Sequence, residues 1–267
     1  MSRMEEVVAA FRQSLKYRHL CEDTLRRIAG WATARHPARK DAVKAGKRKL
    51  HQVYGAYLDG AGLGRVEEGV RAISPGLSGE ALRGACRQIL ACHASTAERL
   101  SILEEVYPAL FRETGAPGSI LDLACGLNPF TLPWMGLGPE TAYRSWDVDG
   151  RLVAAINDFL ARLGRPPAAV CRDLLVSTPD EPVDVVFLFK TIPCLEQQEK
   201  GAGVRLLRSL RARCAVVSFP ARTLGGRDKG MALYYDQFMA EVIRELGVST
   251  VKIAYPSEVF YVCRLKD

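Results

Sequence analysis

The stretch SILDLACGLNPFTL, residues 119 to 132, decides how this chain is read. An apolar run ending at Asp122 and breaking at Gly126 has the form of a buried strand that delivers a tight loop. In a parallel α/β sheet, ligands bind beyond the carboxyl ends of the strands, at the switch point beside the first strand. Asp122 to Pro129 falls at that place. Gly126 lets backbone amides approach a ligand closely. An acidic residue at the end of the second strand would take a pair of ribose hydroxyls, and Asp147, in YRSWDVD, stands 21 residues beyond Gly126. A dinucleotide fingerprint would continue as G-x-G-x-x-G to seat a pyrophosphate, and CGLNPF does not. A ligand with a ribose and no phosphates fits better. S-adenosylmethionine is such a ligand: its adenosine needs the acid, its amino group an acceptor near the loop, and its carboxylate a cation. Asp173, in CRDLL at the end of the third strand, is placed to reach the adenine amino group.

The texture around this loop agrees. After Pro117, short apolar strands alternate with helical segments, the signature of a wound α/β domain. Strands are predicted at 119 to 124, 142 to 147, 168 to 172, 183 to 189, 214 to 219, 249 to 254 and 258 to 264, with helices at 150 to 163, 196 to 211 and 230 to 246. Before Pro117 the chain reads as helical. Val7, Val8, Phe11 and Leu15, then Leu20, Leu25 and Ile28, recur at helical spacing, with a break near Cys21 where Asp23 can cap a second helix. In DAVKAGKRKLHQVYGAYL, Asp41 offers a cap, and Val43, Leu50, Val53 and Tyr57 form one stripe with Lys44, Lys47, Arg48 and Lys49 largely off it. Residues 59 to 79 hold seven glycines or prolines and read as a loop enclosing a short helix. The following segment is helical to a stop at Gly115, with Ser95 or Thr96 as a local cap.

Composition narrows the function classes. With 267 residues, 48% hydrophobic and 25% charged, the chain is globular and able to bury a large core. No stretch approaches the roughly 20 apolar residues of a membrane span, and MSRMEEVVAAFRQSL lacks the apolar core of a signal peptide. A cytosolic protein is expected. The eight cysteines form no C-x-x-C pair, so free thiols are expected and a metal site is not. Charge is unevenly spread: residues 1 to 99 carry 18 Lys or Arg against 10 Asp or Glu, a net of +8, and the remainder is close to neutral. Residues 12 to 49 alone carry 12 basic side chains against 3 acidic ones, which points to a polyanion-binding region in front of a near-neutral domain.

KYRHLCEDTLRRI, LHQVYGAY, LACHASTAERL, LDLACGLNP, FLFKTIPCLE and SFPARTLGGRDKGM together resemble the bacterial aminoglycoside-resistance methyltransferases, of the Arm and Rmt type, that modify guanine N7 in 16S ribosomal RNA. The resemblance covers nearly the whole chain; residues 59 to 79 and the C-terminal strands carry little of it. It implies a Rossmann-like class I methyltransferase domain, with a mostly parallel seven-stranded sheet, over residues 91–267, behind an all-helical RNA-binding domain over residues 1–90. It implies S-adenosylmethionine as cofactor, S-adenosylhomocysteine as product, and the decoding site (helix 44) of the small (30S) ribosomal subunit as target, with a monomer as the acting form.

Residue by residue, the resemblance makes Arg99 the cation for the cofactor carboxylate, Asp147 the ribose acceptor, Asp173 and Leu174 the adenine contacts, and Lys190 a lining residue after the fourth strand. His93, Thr96, Asp122, Ala124, Gly126 and Asn128 complete the expected cofactor set. Each also has a plainer reading. Arg99 could pair with Glu98 or Glu104 on a helix surface, a contact worth under about 1 kcal/mol, and His93 and Thr96 could cap and pack. RNA contacts are expected from Lys16, Arg18, Arg26, Arg27, Lys47, Arg48 and Lys49, and from Arg222, Arg227 and Lys229 in a loop after the fifth strand that two glycines, Gly225 and Gly226, make mobile over the site mouth.

Guanine N7 has an unprotonated lone pair in the ring plane, so its methylation needs placement and no acid or base residue. Enzymes that methylate exocyclic amines carry an Asn or Asp with two prolines and an aromatic after the fourth strand, where this chain has KTIPCLE. Pro193 and Cys194 raise a pyrimidine substrate as a rival, in which a thiolate activates carbon 5 covalently. A different ribosomal base such as adenine N1, a small-molecule substrate, and an RNA-binding role without catalysis are three further readings. The basic front region argues against a small molecule, and Arg99, Asp122, Gly126 and Asp147 argue against lost catalysis.

Overall fold

The apolar run after Gly118 becomes the middle strand of a sheet. In the structure, a computed structural model describing residues 2–54, 60–221 and 228–265 (of 228–232 the backbone alone), β1 (Ser119–Leu123) pairs in parallel with β2 (Ala142–Asp147) and with β4 (Val183–Phe189). β3 (Ala169–Cys171) extends the sheet beyond β2 and β5 (Ala212–Pro220) beyond β4, both in parallel. β7 (Glu258–Arg264) runs antiparallel to β5, and β6 (Ser249–Ala254) pairs with β7 at the edge. The order is β3-β2-β1-β4-β5-β7-β6. Each strand falls within two residues of its predicted span.

Helices cover both faces, which is why the strands read as continuous apolar runs. Ile120, Val185, Phe187 and Val216 face a core shared with α4 (Gly60–Ala72), α5 (Gly79–Leu90), α7 (Leu103–Thr114) and α9 (Gly150–Arg162). Leu121, Val186, Leu188 and Val217 face the opposite core, built with α10 (Ile192–Gln198), α11 (Ala202–Ser209) and α12 (Asp228–Leu246). A third cluster belongs to α1 (Arg3–Arg12), α2 (Glu22–Arg35) and α3 (Arg39–Tyr54), through Val7, Phe11, Leu25, Ile28 and Leu50.

Several local expectations change. The short helix expected within residues 59 to 79 is a 13-residue one over 60–72, because burial of Leu63, Val66 and Val70 against the sheet core outweighs the glycine content. α4 and α5 share the core of the sheet, whereas α1–α3 pack around a core of their own. Asp23 and Asp41 lie in the first turns of α2 and α3 instead of capping them, where a negative charge still meets the positive helix end. The helix expected over 196 to 211 is two helices, parted at Gly201, whose φ of 78° is left-handed. The helical segment ending at Gly115 breaks near His93 into α5, the short α6 (Ala94–Ala97) and α7. Tyr57, Arg222, Gly225, Gly226 and Arg227 lie outside the described residues, as does the Lys229 side chain. Among the described residues no helix is long and apolar enough to cross a membrane.

The α1–α3 unit meets the sheet where β2 ends. Cys21 N donates to Val148 O at 2.8 Å and Gly150 N to His19 O at 2.8 Å, across a bridge between Leu20 and Asp149. Gly150 is required there, since a Cβ would stand 2.9 Å from the His19 carbonyl oxygen.

Candidate active site

The carboxyl ends of β1, β2 and β4 and the turn after β3 open into one cavity. Its wall takes Ala124, Gly126 and Asn128 after β1, Asp147 and Val148 at the end of β2, Asp173 and Leu174 after β3, and Lys190, Thr191 and Cys194 after β4. His93, Thr96 and Arg99 close it from the helical side. The expected cofactor residues are thus brought together, with Asp122 as the exception.

The loop after β1 departs from ordinary backbone geometry. Ala124 and Gly126 have φ of 50° and 51°, and Lys190, leaving β4, has φ of 55°. Two non-glycine residues in the left-handed region at one cavity rim are held there by the surrounding structure. Asp147 ties the loop down: Gly126 N donates to Oδ2 at 2.9 Å and Asp149 N to Oδ1 at 3.1 Å. Burial raises the Asp147 pKa, while these amides pull it back. Each carboxylate oxygen accepts one N–H here, leaving acceptor capacity for two hydroxyls.

Arg99 lies at the base of the cavity, 2% exposed, and makes no helix-surface pair. Its Nε and Nη2 donate to Glu258 Oε2 and Oε1 at 2.9 and 2.6 Å, and Nη1 donates to Asn128 Oδ1 at 2.7 Å. Burial by itself would lower its pKa, but the Glu258 carboxylate outweighs burial and raises it. Glu98 pairs with Lys190 Nζ at 2.8 Å, and Glu104 accepts from Trp134 Nε1. The Thr96 hydroxyl donates to Leu90 O at 2.6 Å, fixing the break between α5 and α6. Burial and the charge of Lys190 lower the His93 pKa, favouring the neutral ring.

Asp122 does not line the cavity. Its Oδ2 accepts from Asn128 Nδ2 at 2.8 Å and Tyr143 OH at 2.6 Å, turning the carboxyl beneath the loop. It supports Asn128, which in turn meets Arg99. Burial pushes its pKa up to about 7, against those hydrogen bonds and the Arg99 charge. Oδ1 is buried with no donor among the described residues.

Asp173 has partners that the sequence did not suggest. It does line the cavity, but Oδ2 accepts from Thr24 Oγ1 at 2.8 Å and Arg27 Nε at 2.9 Å, both from α2. Arg27, expected on RNA, is therefore turned inward. Of the remaining expected RNA contacts, Arg26 pairs with Glu5 and Glu22 on the surface. Lys16 and Arg18 are exposed beside His51 and His19, Arg48 is exposed, and Lys47 and Lys49 are half-buried, Lys49 over the Trp31 ring. Sequence reasoning missed Leu20 and Tyr54 in the wall, although KYRHLCEDTLRRI and LHQVYGAY contain them, and Gln198, which lies outside the quoted motifs; it also missed Glu258, where an acid opening an apolar strand was the available signal.

A sheet of this order, with β7 reversed against β5, and a ribose-type acid beside the loop after β1 define an S-adenosylmethionine-dependent methyltransferase. The donor set fits that cofactor: Asp147 for hydroxyls, Val148, Leu174 and Leu195 for a ring, and Arg99 with Lys190 for a carboxylate. The chain belongs to the FmrO ribosomal RNA methyltransferase family, whose model matches residues 13–262. It is 38% identical over 267 residues to the 16S rRNA (guanine(1405)-N(7))-methyltransferase of Micromonospora echinospora, covering 97% of this chain and 96% of the relative. The enzyme of the same name from Proteus mirabilis is 36% identical over 244 residues, covering 87% and 86%. Among solved structures, the 16S rRNA methyltransferase RmtF in complex with S-adenosyl-L-homocysteine superposes with a TM-score of 0.85 at 31% identity, covering 100% of this chain and 99% of that one. The 16S rRNA methylase RmtB gives 0.83 at 29% identity, covering 98% of each.

Proposed function

We propose that this enzyme methylates N7 of a guanine in the decoding site of 16S rRNA, helix 44, within the small ribosomal subunit, acting as a monomer in the cytosol and conferring aminoglycoside resistance. The observation that carries the reading is the end-to-end match to enzymes named for that reaction, in a chain whose cavity brings Asp147, Asn128 and Lys190 together at the strand ends.

Bound S-adenosylmethionine supplies an electrophilic methyl on a sulfonium. The residues do the rest by placement. Asp147 takes the ribose hydroxyls, Asp173 and Leu174 flank the adenine, and Arg99 and Lys190 offer positive charge to the carboxylate. Arg99 is held in place by Glu258, so little reorganisation is needed. Because N7 presents a free lone pair, neither His93 nor Asp122 has to remove a proton.

In an A-form helix N7 faces a deep, narrow groove, so the guanine has to be extruded or the helix distorted. We assign docking to the α1–α3 unit, through Lys16, Arg18, Lys47, Arg48 and Lys49, with α4 and α5 belonging to the methyltransferase unit. Primer extension on 16S rRNA from expressing cells, after borohydride and aniline cleavage at N7-methylguanine, tests the reading. A single new stop in the decoding helix is expected. No stop, in cells with confirmed expression, sinks it.

A further inference from the structure

Arg27 is one of the most informative residues in the molecule because its charge is spent internally. Its side chain is 21% exposed, and Nη2 lies 2.8 Å from Asp173 Oδ2. The same nitrogen donates to Gln198 Oε1 at 3.0 Å and to Tyr54 OH at 3.3 Å. Asp173, Gln198 and Tyr54 come from the turn after β3, from α10 and from α3, and all three line the cavity. One guanidinium thus joins three separate parts of the wall.

We infer that Arg27 is a positioning residue of the cofactor site, and that through it the α1–α3 unit forms part of that site as well as the RNA-docking surface. The inference rests on the methyltransferase reading above. Asp173 is 3% exposed, and an enclosed carboxylate needs donors. Thr24 and Arg27 supply them on Oδ2, and Leu175 N supplies one on Oδ1 at 2.9 Å. Without Arg27 the carboxylate keeps a hydroxyl and one amide, loses its counter-charge, and is free to turn. The main chain reinforces the link, because the Cys21 N–H holds Val148 O, and both Leu20 and Val148 belong to the wall. A shift of α1–α3 would therefore shift one side of the cofactor cavity. By linkage, any effect of docking on cofactor affinity is matched by an equal effect of the cofactor on docking.

Calorimetric titration of the full-length protein with S-adenosylhomocysteine, beside salt-dependent binding to small subunits, tests this. Arg27→Ala is expected to weaken S-adenosylhomocysteine binding by about ten- to a hundredfold, the effect of losing hydrogen bonds to a charged group. KM for S-adenosylmethionine should rise with kcat changing far less, Arg27→Lys should restore part of the affinity, and the salt slope of subunit binding should stay as in the parent. Arg48→Glu should do the reverse, lowering that slope with the cofactor affinity intact. An Arg27→Ala protein that binds S-adenosylhomocysteine like the parent but loses salt-dependent subunit binding returns Arg27 to the RNA face and overturns the inference. Should Arg27→Ala not fold, Thr24→Val decides: about a fivefold weakening supports the clamp, and unchanged affinity refutes it. A parent protein that binds no S-adenosylhomocysteine defeats the methyltransferase reading and this inference with it, whereas equal binding by parent and variants defeats this inference alone.

Discussion

Glu258 grips Arg99 through two parallel hydrogen bonds, Nε to Oε2 at 2.9 Å and Nη2 to Oε1 at 2.6 Å, with both side chains shut away from water. The acid comes from β7, which runs antiparallel to β5, and the base from the break before α7, so the pair staples the helical wall to the sheet. Ser218 Oγ adds a further hydrogen bond to the same carboxylate. Removing one partner of a buried ion pair leaves an uncompensated charge, and Glu258→Ala should cost about 3 to 5 kcal/mol of stability. Glu258→Gln, which keeps the shape and one acceptor, should cost less. Chemical denaturation of the three proteins measures both, and equal midpoints would show that the pair does not hold the site together.

Asp147, the proposed ribose acceptor, also holds the loop, accepting from Gly126 N at 2.9 Å. Asp147→Ala is expected to weaken S-adenosylmethionine binding by about 1 to 3 kcal/mol. Calorimetry that returned the parent affinity would reject its role as ribose acceptor.

Asp122 gives the fold a pH dependence opposite to that of a carboxylate whose pKa an ion pair lowers. Its pKa is pushed from 3.8 up to about 7 by burial. Below pH 4 the folded and unfolded forms both hold the proton, and the group contributes nothing. Between about 4 and 7 the unfolded chain has released the proton while the folded protein keeps it, so stability falls as pH rises. Above 7 both are ionised and a penalty of about 4 kcal/mol remains, from roughly 1.4 kcal/mol per unit. Asp122→Asn should flatten this part of the stability profile. Urea titrations at several pH values compare the two slopes, and identical profiles would mean that Asp122 ionises normally.

Charge reversal on α3 tests the docking face. Arg48 is exposed, and Lys49 reaches over Trp31 at 5.8 Å. Replacing both with Glu should weaken subunit binding and reduce its dependence on salt, because each lost phosphate contact lowers the number of counterions released by about one. Cofactor affinity should not change. Binding that keeps the parent's affinity and salt slope would make this face merely solvated.

The sheet was legible in the sequence because buried strands are contiguous in it: each apolar run between turn residues supplies its own signal. Asp147 was legible because its distance from Gly126 is set by two short helical turns, a loop and the one strand, β2, that ends on it. Glu258, Thr24 and Arg27 were not, since their partners lie 159, 149 and 146 residues away and only the folded chain brings them together. Arg27 illustrates the cause well: counting charge over residues 12 to 49 averages all helix faces, and which face packs on Asp173 is a tertiary fact. Asp122 was placed one layer too near the ligand, because a strand-end carboxyl can turn toward the cavity or under the loop, and Tyr143 and Asn128 draw it under. The helix within residues 59 to 79 was expected too short from glycine content, which carries no information about the core waiting for Leu63, Val66 and Val70.

Cys194 decides between unaided attack and covalent catalysis. It lines the cavity, half-buried in the first turn of α10, with its Sγ 3.5 Å from the Lys190 carbonyl oxygen. Were the substrate a pyrimidine, this thiolate would have to add to the ring, Cys194→Ser would abolish turnover, and a 5-fluoropyrimidine-substituted RNA would trap a covalent adduct. Guanine N7 gains nothing from a thiolate, because its lone pair is already available. Serine can make the same contact with the Lys190 carbonyl, so the substitution should cost no more than a packing change of about 1 kcal/mol. Methyl transfer from labelled cofactor to small subunits, with mass analysis for an adduct, separates the two. A Cys194→Ser protein that folds and binds cofactor yet transfers no methyl would overturn the guanine reading.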